Sequence, residues 1–305
     1  MNPSTFRAAV VRTPGGPDSI EVVDVPVVAA GPGQVRVAVG AASINPVDLG
    51  VVRGQFHDMG LIDQPSYTGL GWDFAGTVIG VGPGVDLAVG TRVAGLIDGF
   101  DRDYGTYAEQ LVVPAANVAV VPSGLSLVSA ATVPLNALAA AQILDLLGPA
   151  SVSRHRLLVT GAGGAVGGYL VPLAIEHGWS VTGHGRAEDE EFVRALGAQF
   201  TPEATPSWDA VVDAAVLGEL ALSVVRDYGS YIGVQPSAPP AEERGVTVQV
   251  IVTQPDGSRL ADLLAMTASG RLSTRVHAVL SLDDVVEAHR TFAKGGIRGR
   301  FVIVP

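Results

Sequence analysis

A short apolar run, Leu157-Leu158-Val159-Thr160, leads directly into four glycines within seven residues, Gly161, Gly163, Gly164 and Gly167. A helical pattern follows over 169–177, closed by Gly178. Strand, glycine turn, helix is the order of a phosphate-binding βα unit. Glycine is needed at such a turn because a Cβ would hold the backbone away from a pyrophosphate. The N–H groups at the helix start, backed by the helix dipole, then bind the anion. The spacing departs from G-x-G-x-x-G, since the third position is Val166, and fits G-x-x-G-x-x-G through Gly161, Gly164 and Gly167. A tight glycine turn can also exist without a ligand. Its place between a strand and a capped helix is what points to a nucleotide, with Gly161, Gly163, Gly164, Ala165 and Val166 as the contacting residues.

Further along, strands are expected at Ser180–His184, 208–214, 229–234 and 246–252, and helices at 188–196, 217–227 and 258–268. Strands alternating with helices mean a parallel sheet covered on both faces. Residues 1–122 read differently. Apolar and polar residues alternate over 21–28 and 34–39, and glycine and proline mark turns at 13–17, 29–33 and 80–84. Short strands at this spacing suggest a small barrel or sandwich. A chain of 305 residues is long for one core, so two domains are expected, with a boundary near 122. The chain closes with a short helix over 283–293 and a strand at Arg300–Val304.

Composition narrows the function. Hydrophobic residues make up 48% and charged residues 16%, as in a globular protein. The apolar stretch 130–147 is interrupted by Asn136, Gln142 and Asp145, so a cytoplasmic protein without a membrane span is expected. A net charge of −11 argues against nucleic acid as a partner, because that affinity rests on neutralising phosphates. No cysteine is present, which excludes disulfides and thiolate metal sites. The six histidines, at 57, 155, 177, 184, 277 and 289, have no metal-ligand spacing. Lys294 is the one lysine beside 18 arginines, so an anion here is held by Arg, His or backbone.

The tip of the second expected strand reads Thr182-Gly183-His184-Gly185-Arg186. Dinucleotide-binding domains that use NAD carry Asp or Glu there, bound to the ribose hydroxyls. Here a small residue leaves room and a cation stands beside it, and a guanidinium suits a 2′-phosphate. This predicts NADPH, with Arg186 as the main contact, His184 as the second and Gly183 giving space. The alternative is that Arg186 caps the strand or pairs with Glu188 or Asp189, and the acidic run Glu188-Asp189-Glu190 weakens the pocket.

Several stretches together resemble the medium-chain dehydrogenase/reductase superfamily, specifically its zinc-free quinone oxidoreductase branch. They are Asn45-Pro46-Val47-Asp48 with Arg53-Gly54, Gly71-Trp72-Asp73-Phe74-Ala75-Gly76, Tyr107-Ala108-Glu109, the glycine turn, Leu196-Gly197-Ala198 and the GGIRGRFVI run at 295–303. Their order along nearly the whole chain is more specific than any one of them. The resemblance implies an α/β protein of two parts: a GroES-like β domain over 1–122, completed by 271–305, and a Rossmann NADP-binding domain over 123–270. It implies a cofactor in the cleft between them and a homodimer paired through 246–252.

Zinc enzymes of that superfamily carry His-Glu where this chain has Trp72-Asp73, and a cysteine ligand that this chain lacks. Without zinc, alcohol oxidation is disfavoured. Hydride addition to a quinone or an α,β-unsaturated carbonyl remains, and Trp72 is then a packing residue. By its place in the resemblance, Asn45 is expected beside the nicotinamide; an Asn-Pro turn is the alternative. Asp48 reads as a cap. Tyr67 is a candidate proton donor or a core tyrosine. Some relatives carry a tyrosine two positions after N-x-x-D, where this chain has Gly50. Gly233 joins the expected dinucleotide contacts, and the loop 96–104, with Phe100 and Tyr104, is expected to line the acceptor site. The expected activity is a zinc-independent NADPH-dependent quinone or enone reductase acting on a small molecule. An enoyl-thioester reductase of a biosynthetic pathway and a redox-inert NADPH-binding protein are the alternatives.

Overall fold

The alternating residues of the first part become a β structure in the computed structural model, which describes residues 4–305. Gln34–Ser43 is its central strand. Its side chains alternate between buried and half-buried, as a strand with one face on a core requires. It pairs antiparallel with Asp73–Val81, Gln110–Pro114 and Arg300–Val304. The seven-stranded sheet runs in the order Val276–Ser281, Arg300–Val304, Gln34–Ser43, Asp73–Val81, Arg92–Leu96, Val118–Val120, with Gln110–Pro114 off that path. A smaller sheet joins Ile20–Pro26, Thr5–Val11 and Thr68–Gly69. Val35, Val37, Phe74, Val78, Val93, Leu111, Val113 and Ile303 fill the core.

Two compact units divide the chain. The first holds residues up to Leu135 together with Pro255–Gly270 and Thr274–Pro305, and the second holds Asn136–Gln254 and Arg271–Ser273. The expected division had 123–270 in the Rossmann part, so 123–135 and 255–270 lie elsewhere than the sequence suggested. The helix Gly257–Ala268 explains the second difference. Asp256 caps it through Arg259 N at 2.9 Å. Gly257 lies so close to the Ala116 and Val118 carbonyls that a Cβ would overlap them. An amphipathic helix announces that one face will be covered, not which domain covers it.

The second unit is built on six parallel strands in the order Gln199–Thr201, Ser180–His184, Arg156–Thr160, Trp208–Asp213, Val225–Gly233, Thr247–Val250. Counted along the chain this is 3-2-1-4-5-6, the doubly wound order whose switch point lies between strands 1 and 4. The glycine turn follows strand 1, at that point. The helix expected over 217–227 is shorter, Glu219–Ser223, and the next strand begins at Val225. Val225 pairs with Trp208, and Tyr228 adopts φ 59, which no helix continues. Among the described residues, no helix is long and apolar enough to cross a membrane.

Candidate active site

The glycine turn is packed around one carbonyl. Gly161 sits at φ 63, a conformation that favours glycine. Gly164 N donates to Gly161 O at 2.7 Å. A Cβ on Gly167 would overlap Gly161 O and lie 2.6 Å from Ala162 Cα. The three positions of G-x-x-G-x-x-G therefore converge on Gly161. Gly164 is also the N-cap of the helix Ala165–Glu176 and brings no side chain to cap it. The first-turn N–H groups of that helix face a bare glycine turn, a cradle that fits a pyrophosphate.

Around the second strand's tip the expected residues separate. Gly183 is buried, and its missing Cβ makes room for Ala162 and Val193, each with an atom 2.6 Å from the position a Cβ would take. Close packing of the glycine turn on this strand is what that glycine serves. His184 Nδ1 lies 3.2 Å from Thr201 O. Arg186 is exposed and faces Glu188 at 3.8 Å. Asp189 is buried, accepts Arg186 N at 3.2 Å, and lies against Gly163 and Gly185. Gly233 ends its strand opposite Asp213.

Asp213 was missed by sequence reasoning. Its Oδ1 accepts Thr160 Oγ1 at 2.6 Å, and its Oδ2 accepts Gly218 N at 2.8 Å and Tyr231 Oη at 2.9 Å. Burial and this carboxylate push the Tyr231 hydroxyl pKa up. Thr160 Oγ1 accepts Ala215 N at 3.2 Å. The group thus ties the ends of strands 1, 4 and 5 and the 214–218 turn that touches Gly161. The signal was present as an acid closing the apolar run Trp208–Asp213, every residue of which is buried.

In the first unit, Asn45 joins two buried carboxylates. Its Nδ2 donates to Asp73 Oδ2 at 2.8 Å, and its backbone N donates to Asp48 Oδ2 at 2.9 Å. Asp73 also accepts Ser43 Oγ at 2.7 Å and Leu135 N at 2.6 Å. Asp48 also accepts Tyr107 Oη at 2.8 Å and Gly71 N at 3.0 Å. Burial pushes Asp73 up to about 6 against the pull of those hydrogen bonds, and it pushes Asp48 up as well. Tyr107 rises well above its ordinary value through burial and Asp48. His289, edge-on to Tyr107 at 5.6 Å, is lowered by burial. Asn45 thus starts the helix Pro46–Val52 as the turn reading required, and its side chain is also fixed by Asp73.

Tyr67 lies apart from these bonds, half-buried, with the Arg12 guanidinium 5.2 Å from its ring. Trp72 packs as expected, 7% exposed, edge-on to Phe100 at 5.1 Å and beneath Arg102 at 4.4 Å. Among the described residues, no three His, Cys, Asp or Glu side chains gather where they could hold a metal ion.

Two family models match this chain: the alcohol dehydrogenase GroES-like domain over residues 31–123 and zinc-binding dehydrogenase over 187–303. A 2-methylene-furan-3-one reductase of Solanum lycopersicum is 30% identical over 290 residues, which span 89% of this chain and 72% of that protein. A 2-haloacrylate reductase of Burkholderia sp is 27% identical over 337 residues, 98% of each. The structure of the quinone oxidoreductase from Coxiella burnetii superposes with a TM-score of 0.87 at 24% identity, covering 99% of each chain.

Proposed function

The chain belongs to the medium-chain dehydrogenase/reductase superfamily, and on that premise we propose that it is a zinc-independent, NADPH-dependent reductase that delivers hydride to a quinone or an α,β-unsaturated carbonyl. The observation that carries this reading is the bare glycine turn converging on Gly161 at the switch point of a 3-2-1-4-5-6 sheet. Bound there, a reduced nicotinamide dinucleotide supplies the hydride. The absence of cysteine and the presence of Trp72 where zinc enzymes carry histidine support chemistry without zinc. So does Asp73, both of whose oxygens are engaged by hydrogen bonds within the protein. The reductases of similar sequence, named for a furanone and a haloacrylate, favour a conjugated acceptor.

Each residue then has a task. The first-turn N–H groups after Gly164 hold the pyrophosphate, with Gly163, Ala165 and Val166 lining the turn. Arg186, exposed beside the second strand with Glu188 3.8 Å from its guanidinium, receives the 2′-phosphate in competition with that carboxylate, with His184 near it. Asn45, its amide held by Asp73, orients the nicotinamide. Tyr67 has no hydrogen bond linking it to Asn45 or Asp73, and proton delivery by water is the better reading. The strand Thr247–Val250 closes one edge of the sheet, and its open backbone groups suit pairing with a second copy in a homodimer.

Fluorescence titration with NADPH and NADH tests the cofactor assignment. NADPH is expected to bind at least about tenfold tighter, a gap of about 1.4 kcal/mol. NADPH oxidation in the presence of quinones, enones and enoyl thioesters then ranks the acceptors. Equal affinity for NADH removes the NADPH assignment. Binding without turnover of any acceptor leaves a redox-inert protein, and preference for the thioesters moves the reading to a biosynthetic enoyl reductase.

A further inference from the structure

The cofactor turn carries one glycine more than its convergence on Gly161 needs. Gly164 and Gly167 both meet the Gly161 carbonyl, and Gly163 takes no part in that contact. A Cβ on Gly163 would instead lie 2.4 Å from Asp189 Cγ and Oδ1 and 2.8 Å from Asp189 Cβ. An alanine at 163 and the Asp189 carboxylate therefore cannot share that space. At Gly185 a Cβ would stand 3.2 Å from Asp189 Oδ2, and the same oxygen accepts Arg186 N at 3.2 Å. One side chain, 5% exposed, thus lies with one oxygen against the phosphate turn and with the other against the second strand's tip.

The acids that follow Arg186 differ in what they can do to a bound phosphate. Glu188 is mostly exposed, 3.8 Å from the Arg186 guanidinium, where water and salt screen it. Glu190 is turned to Arg194 Nε at 2.8 Å. Asp189 is buried, and a buried charge is screened much less. In the site proposed above, the pyrophosphate lies along the turn that contains Gly163, and the 2′-phosphate lies beside Arg186. The Asp189 carboxylate stands behind both places. A 2′-phosphate adds about two negative charges near neutral pH, so the repulsion falls more heavily on NADPH than on NADH.

We propose that Asp189 is the positioning residue that limits the protein's preference for NADPH over NADH. Arg186 supplies the attraction for the 2′-phosphate, and Asp189 supplies a fixed opposing charge behind it, so that NADH remains a usable cofactor beside NADPH. This rests on the reductase reading above and carries it further, by naming what sets the selectivity of that site. Asp189 needs no contact with the ligand, since a charge acts across the few ångströms that its bond to Arg186 N and its packing on Gly163 define. The same bond and packing join the turn to the strand tip, which is what the fold gains from a carboxylate in an unfavourable place. Gly163 is the room made for it.

The test measures Kd for NADPH and NADH, and for 2′,5′-ADP and 5′-ADP, on the full chain. Asp189→Asn keeps the volume and an oxygen for Arg186 N and removes the charge. The NADPH-to-NADH affinity ratio, and the ratio for the two ADP compounds, should each rise by about threefold or more in that variant. The rise should persist when salt is increased from about 0.01 M to about 0.15 M, whereas any rise in Glu188→Gln should shrink, because the screening length falls from about 30 Å to about 8 Å. Asp189→Ser, neutral and smaller, gives the same reading where the Asn variant folds poorly. A purely structural bond would move both affinities alike, so ratios that stay at the wild-type value or fall would overturn the proposal. Gly163→Ala checks the geometry. It should lower Tm and weaken both dinucleotides in the wild type, and change neither affinity by more than about twofold in an Asp189→Ala background, where the clash is gone. A harmless Gly163→Ala in the wild type would mean that the carboxylate does not lie against the turn, and the proposal would fall. Wild type that binds neither dinucleotide removes the reductase reading and this proposal with it; wild type that binds both, with variants that keep its ratio, removes this proposal alone.

Discussion

The side-chain amide of Asn45 donates to Asp73 Oδ2 at 2.8 Å, a polar contact between two residues with no exposed surface. Its energetics depend on pH. Burial raises Asp73 from 3.8 to about 6. Between those values the folded state holds a proton that the unfolded state has released. The group's contribution to stability therefore falls as pH rises from about 4 to about 6, by about 3 kcal/mol in all, and is level above that. Asp73→Asn removes the titration but offers one acceptor oxygen to donors that occupy two, so about 1–3 kcal/mol should be lost at low pH. Urea midpoints measured across this range should show a wild-type slope that the variant lacks. Parallel curves would mean that Asp73 is ionised throughout.

Gly167 tests whether the turn is built for close approach. A methyl group there meets Gly161 O and Ala162 Cα, which are backbone atoms and cannot swing aside. Gly167→Ala should cost about 1–3 kcal/mol through overpacking, seen as a lower Tm. Because the shift falls on the turn itself, NADPH affinity should fall by about tenfold or more. Gly168→Ala is the control, since its Cβ would lie 3.5 Å from the Phe192 ring, an ordinary contact.

The Arg186–Glu188 pair, 3.8 Å apart with both side chains mostly exposed, bears on cofactor choice. Such pairs contribute about 0–1 kcal/mol, so Glu188→Gln should leave Tm nearly unchanged. With the competing carboxylate gone, NADPH should bind a few-fold tighter, and Arg186→Ala should abolish most of its advantage over NADH. Titrations at two ionic strengths would check both, because a phosphate contact at the surface weakens with salt. If neither variant changes the ratio of the two affinities, Arg186 does not face the 2′-phosphate.

The legible parts were those in which one residue type has one physical use. Glycines at 161, 164 and 167 marked a turn too tight for side chains, and alternation over 34–39 marked a strand over a core. Asn45 was singled out by its place in the family resemblance, with an Asn-Pro turn as the alternative, and its bond to Asp73 spans 28 residues and leaves no local trace. The allegiance of the helix Gly257–Ala268 was hidden because amphipathicity names a buried face without naming its partner. Orphaned donors such as Trp72 Nε1 are invisible in any pattern, since a tryptophan reads as packing until its neighbours are known. Asp213 was visible only as an anomaly, an acid where an apolar strand should end.

That anomaly makes the sharpest test of what holds the cofactor turn. Asp213 accepts from Thr160 Oγ1, Gly218 N and Tyr231 Oη, all within 2.9 Å. Truncating it strands three buried or half-buried donors, and each left unpaired costs about 1–3 kcal/mol. Asp213→Ala should therefore lose at least about 3 kcal/mol, whereas Tyr231→Phe, which removes one donor and leaves the acceptor served, should lose about 1 kcal/mol. Thr160 Oγ1 also accepts Ala215 N, so the 214–218 turn against Gly161 is held from two sides. Asp213→Asn keeps the volume and part of the bonding, and is expected to fold with a looser turn. In that variant NADPH affinity should fall by a larger factor than stability alone explains, with hydrogen exchange faster at Ala215 and Gly218 than elsewhere in the sheet. Uniform exchange across the unit would show that Asp213 supports the whole sheet and not the turn.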